Sequence, residues 1–84
     1  MKKVLMFSAS WCGPCQRTKP AFNLLKESST DVSYEIVDVD ENEMLAQKYN
    51  IRAVPTFVLL KEEQEVARAS GGMTADKIRE FANQ

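Results

Sequence analysis

At 84 residues, with 44% hydrophobic and 27% charged residues and a formal net charge of -1, the chain has room for one globular domain, residues 1-84, and none for a second. Its lysines and arginines are spread along the sequence, which argues against a basic stripe for nucleic acid and a polybasic anchor for membrane. A domain of this size buries only roughly 60 to 65% of its unfolded surface, so little core can be spared for a deep cavity and a surface site is expected.

In chain order, Met1-Lys2-Lys3 followed by Val4-Leu5-Met6-Phe7 superficially looks like a signal peptide, but the apolar stretch falls short of the roughly 7 to 15 residues a secretory core needs. The expected location is therefore the cytoplasm, where a close cysteine pair is more often catalytic, redox-sensing or metal-binding than structural. Val4 to Phe7 reads as a first strand covered on both faces. The only two cysteines come next, in Trp11-Cys12-Gly13-Pro14-Cys15, and Cys15, Thr18, Phe22 and Leu25 then recur at helical spacing. Pro20 lies inside this helix and removes a donor opposite the Gln16 carbonyl, which predicts a kink. Ser28 to Asp31 ends the helix.

From Val32 to Val39 apolar residues point both ways, which predicts a central strand. Asp40-Glu41-Asn42 opens a short acidic-capped helix over Glu43 to Tyr49. Pro55 to Lys61 reads as a strand and Glu65 to Ala69 as a polar edge strand, joined through Glu62, Glu63 and Gln64 without a turn glycine. Gly71-Gly72 permits a sharp turn, Thr74 caps, and Ala75, Ile78, Phe81 and Ala82 form one face of a last helix. The order βαβαββα predicts an α/β fold, a three-layer α/β/α sandwich.

Chemistry concentrates at Cys12 and Cys15. A Cys-x-x-Cys pair at a helix start exposes the first thiol to unpaired backbone N-H groups and the positive end of the helix dipole, which favour a thiolate. Cys15, under one turn away, is near enough to attack a mixed disulfide on Cys12. Gly13 allows a tight turn and Pro14 suits a first helical turn. A purely structural disulfide closing so short a loop contributes only about 2 kcal/mol and would not persist in a reducing compartment. A four-ligand zinc site needs two chains, because the sequence has no histidine and no third cysteine. The acids Asp38, Asp40, Glu41 and Glu43 lack the glycine and glutamate spacing of a calcium loop and read as a solvated helix start. Trp11, beside two thiols at a strand end, is expected to be exposed.

These residues resemble the thioredoxin family over nearly the whole chain. Trp11 to Cys15 is similar to its active-site signature without change, Pro20 occupies the place of its kinking proline, and Val37 to Asp40 with Tyr49 to Phe57 resembles its middle. The resemblance implies a thioredoxin fold with a mixed four-stranded sheet containing one antiparallel strand, and a cis Val54-Pro55 bond packed beside the cysteines. It further implies Cys12 as nucleophile, Cys15 as resolving thiol, and Trp11, Gly13, Pro14, Val54, Pro55 and Gly71 as the substrate-binding rim. The implied activity is protein-disulfide reduction, cell redox homeostasis and electron transport, with no bound cofactor and no metal. Reducing equivalents would come from NADPH through a thioredoxin reductase, or from the glutathione system, to a monomer acting on disulfide-containing target proteins.

Two departures stand out. The family's buried acid six residues before the attacking cysteine is replaced by Met6, and its accompanying lysine aligns with Ile36. Phe7-Ser8 and Gly71-Gly72 resemble glutaredoxins, so a glutathione-coupled reductant or a dedicated donor, for example to ribonucleotide reductase, is an alternative; a non-catalytic binding module is another. For the activity itself, the value of about 7 known for the thioredoxin thiol, against about 8.5 for free cysteine, raises the thiolate fraction by about 1.2 log units. Lost intrinsic nucleophilicity takes back about 0.7, leaving roughly a threefold faster attack. When Cys15 resolves, it attacks the Cys12 sulfur of the mixed disulfide and the target thiolate is the group that leaves.

Overall fold

A computed structural model describes all residues, 1-84. The strands are β1 (Lys2-Ser8), β2 (Val32-Asp38), β3 (Thr56-Lys61) and β4 (Gln64-Ser70), and the helices α1 (Gly13-Ser28), α2 (Glu43-Lys48) and α3 (Ala75-Ala82), in the expected βαβαββα order. The sheet order is β2-β1-β3-β4. β1 runs parallel to β2 and antiparallel to β3, which in turn is antiparallel to β4, so β3 is the one reversed strand.

β1 is longer than its apolar run because Lys2 to Ser8 all find partners on β2 and Lys2 to Phe7 also pair with β3. β2, expected to be central, instead lies at the sheet edge. Its two apolar faces report helices above and below rather than strands on both sides. Tyr34 is buried towards α1 and Val37 towards the opposite layer. Burial, with the nearby Asp31 charge adding, pushes the Tyr34 phenol above its ordinary range.

Strand alternation sorts the core into two clusters. Val4, Met6, Phe57 and Leu59 pack with Phe22 and Leu25 of α1 and with Ile78, Phe81 and Ala82 of α3. Leu5, Phe7, Val58 and Leu60 face the other way, against Leu45 and Tyr49. That second cover is thin, because no residue of α2 is itself buried. Arg68 of β4 braces it by donating to the Tyr49 carbonyl at 2.6 Å while paired with Glu65.

Pro20 lies within α1 without ending it. The glycine-free link between β3 and β4 is a two-residue connection in which Glu62 and Glu63 both take positive φ, 51° and 67°. That pairing of left-handed residues is what a tight hairpin turn requires, and it is met here by glutamates, at a cost glycine would avoid. The N-terminal ammonium pairs with Glu62 and holds its carboxyl below the usual range. Thr74 caps α3 by accepting from the Lys77 N-H at 3.2 Å.

Ser8 closes β1 with a side chain 1% exposed whose Oγ has no hydrogen-bond partner. Removing an unpaired buried hydroxyl removes its desolvation penalty and little else. Ser8→Ala is therefore expected to leave stability unchanged or raise it by about 1 kcal/mol, read from the urea midpoint. A loss above that size would show that the hydroxyl is bonded after all.

Candidate functional site

The cysteines lie beyond the carboxyl end of β1, where a short bend returns the chain into α1. The Ala9 carbonyl holds this bend by accepting from the Cys12 N-H at 3.2 Å and from Gln16 Nε2 at 3.1 Å. Cys12 is the N-cap residue, with an extended backbone, and Pro14 lies in the first helical turn where its missing N-H costs nothing. A sulfur does the work a serine or aspartate usually does: the Cys15 N-H donates to Cys12 Sγ at 3.2 Å. No acidic residue occupies the first turn, so no local carboxylate competes for the positive end of the helix.

Cys12 and Cys15 are joined as a disulfide with a Cα-Cα separation of 5.3 Å. Cys15 is completely buried in the larger core cluster, while Cys12, at 5% exposure, keeps a sliver of surface. The Val54-Pro55 bond is cis, and the Val54 carbonyl oxygen lies 3.7 Å from Cys12 Sγ. Both features meet the expectation for this loop. Gly71 joins the group because its N-H donates to the Pro55 carbonyl at 2.9 Å, and its φ of +94° is one that side-chain-bearing residues rarely adopt.

Trp11 is 70% exposed, as its place beside the thiols at a strand end led one to expect. Its indole N-H donates to the Asp40 carboxylate at 3.1 Å. Gly13 and Pro14 are exposed beside it, Val54 is half-buried and Pro55 buried. Trp11, Cys12, Gly13, Pro14 and Cys15 therefore lie in one turn, and Val54, Pro55 and Gly71 are drawn towards it by the two contacts above.

Three further residues lie beside these elements, and sequence reasoning gave no sign of their placement. Asp40 follows β2 as the cysteines follow β1, and the parallel register Ser8↔Asp38 brings those two strand ends together; only knowledge of that pairing could have found it. Thr18, buried one turn beyond Cys15, faces the glycine loop so closely that a Cβ on Gly72 would come within 3.1 Å of its Oγ1. Arg17 reaches back along α1, and its Nη1 lies 3.4 Å from where a Cβ on Gly13 would be.

Met6 and Ile36 are register partners on neighbouring strands. Met6 is fully buried in the same cluster as Cys15, with Ile36 packed against it. The places where the family carries an acid and a lysine are thus adjacent here and hold two apolar side chains. No group of three or more His, Cys, Asp or Glu residues could hold a metal ion, and no helix is long and apolar enough to cross a membrane.

The thioredoxin family model matches residues 1-84. Human thioredoxin is 41% identical over 81 residues, which are 96% of this chain and 76% of the human protein. Thioredoxin H2 of Arabidopsis thaliana is 44% identical over 68 residues, 81% of this chain. The chain spans 51% of the length of that plant relative and 58% of rice thioredoxin H5. Among solved structures, Fasciola hepatica thioredoxin superposes with a TM-score of 0.90 at 41% identity, covering 98% of this chain and 78% of its own.

Proposed function

Since the chain belongs to the thioredoxin family, we propose that it reduces protein disulfides by cycling Cys12 and Cys15 between dithiol and disulfide. The observation that carries this reading is the Cys12-Cys15 disulfide set at the start of α1 beside the cis Val54-Pro55 bond. In the reduced protein Cys12 attacks a target disulfide, forming a mixed disulfide and releasing the first target thiolate. Cys15 then gives up its proton and displaces the second target thiolate, restoring the internal disulfide. The assignment of attack to Cys12 draws support from its being the cysteine with any exposed surface.

Trp11, Gly13, Pro14, Val54, Pro55 and Gly71 form the contact rim in this reading. The extended backbone at Val54 and Pro55 pairs with target main chain, which tolerates many target sequences. Because Met6 and Ile36 supply no internal acid or base, the proton of Cys15 leaves through water or the departing target thiolate. Two electrons per cycle return from NADPH through a thioredoxin reductase, in the cytoplasm, to a monomer that binds no cofactor of its own.

The test follows NADPH consumption by the oxidised protein with insulin as substrate, supplying either thioredoxin reductase or glutathione with its reductase. Turnover with thioredoxin reductase is the expected result. Turnover with glutathione alone would replace the reductant, and silence with both would overturn disulfide reduction coupled to these systems.

A further inference from the structure

The cation lying on the turn between the two cysteines is not accounted for by folding. Long helical side chains lean towards the N-terminus, so Arg17 falls over Gly13, four residues back; its Nη1 stands 3.4 Å from the Gly13 Cβ position. Positive charge near a helix N-terminus opposes the helix dipole. Arg17 offsets nothing by being there, since the ion pairs of this structure join other residues and none involves Arg17. Across the same site, Asp40 is held against exposed Trp11. The rim is therefore polarised, positive on the α1 side of Cys12 and negative on the Trp11 side.

We propose that Arg17 is a specificity-determining residue, favouring disulfides that carry negative charge beside the attacked sulfur. This rests on the disulfide-reductase reading for its biological meaning. The guanidinium is a planar fork suited to a carboxylate on the partner, and Asp40 penalises the reversed orientation by like-charge repulsion. A target with an acidic residue flanking its cysteine is the partner this surface fits.

The test begins on the reduced protein with two alkylating probes, iodoacetate and iodoacetamide. Both react with the same Cys12 thiolate, so the ratio of their rates cancels thiolate fraction and reports the local charge. At low salt Arg17→Gln is expected to lower the iodoacetate-to-iodoacetamide ratio about threefold and Arg17→Glu about tenfold. Arg17→Lys should retain most of the ratio. The differences should shrink at 0.5 M salt, where charges are screened over about 4 Å. Lys19→Gln removes the same net charge two residues away and should leave the ratio nearly unchanged. Peptide disulfides with Glu or Lys beside the cysteine then read the preference in turnover, which Arg17→Gln should erase.

An unchanged ratio in Arg17→Gln, or an equal fall in Lys19→Gln, would overturn the proposal. Failure to reduce any disulfide would sink the reductase reading instead, because the alkylation ratio needs no turnover. Thermal melts of each variant check that the fold is intact.

Discussion

Cys15→Ser is expected to stop multiple turnover of insulin while leaving the first attack in place, so that the variant accumulates as a covalent adduct with its target. Resolution in the parent chain is intramolecular, and well-placed intramolecular groups can act at effective concentrations of ~10⁵ M. An external thiol at millimolar concentration replaces that poorly, and steady-state reduction should fall by about 10³-fold or more. Cys12→Ser should be equally inactive but form no adduct. Non-reducing electrophoresis distinguishes the two, and an adduct formed by Cys12→Ser but not by Cys15→Ser would reverse the assigned roles. Cys15 is fully buried, so the serine hydroxyl carries a desolvation cost of roughly 1 to 3 kcal/mol. A thermal melt should therefore accompany the activity measurement.

The largest stability effect is expected at Phe22. Its ring is fully buried on α1 and meets Tyr34 edge-on at 5.4 Å and Phe57 at 6.1 Å, while Phe57 continues to Phe81 at 6.4 Å. One aromatic row thus ties α1, β2, β3 and α3 together. Phe22→Ala should cost about 3 to 5 kcal/mol from lost burial and the cavity left behind. A domain of this length has only about 4 to 13 kcal/mol to lose, so the midpoint should fall by about 15 °C or more. Trp11→Ala, at an exposed site, should change stability by no more than about 0.5 kcal/mol. Urea unfolding of both variants checks the contrast, and a Phe22→Ala loss below 1 kcal/mol would show that the row is not the principal tie.

The order of elements and the disulfide pair could be read from the sequence because both depend on local pattern. Helical spacing from Cys15 to Leu25 and the apolar runs of β1 and β3 correspond directly to the observed elements. The cis bond and the gathering of Val54 and Gly71 came from family resemblance, since no periodicity brings residues 54 and 71 to residue 12. β2 was misplaced because apolar residues on both faces report covering layers, whereas sheet position depends on which strand edges are paired. The Glu62-Glu63 turn was hard to read because register, fixed by Lys61↔Gln64, overrides the usual turn chemistry. Asp40 and Arg17 were missed for a related reason: their roles come from the parallel strand ends and from the lean of a helical side chain, not from any motif.

The unequal burial of the two sulfurs gives the molecule a single port. With Cys15 sealed in the core and Cys12 the cysteine that reaches the surface, the proposed cycle passes electrons from donor and electrons to target through the same residue. In that cycle donor and target cannot be seated together, so each must depart before the other docks, and the proposed reductase is a shuttle that holds one electron pair at a time. Its rim must then satisfy two unlike partners in succession, which limits how closely it can be fitted to either.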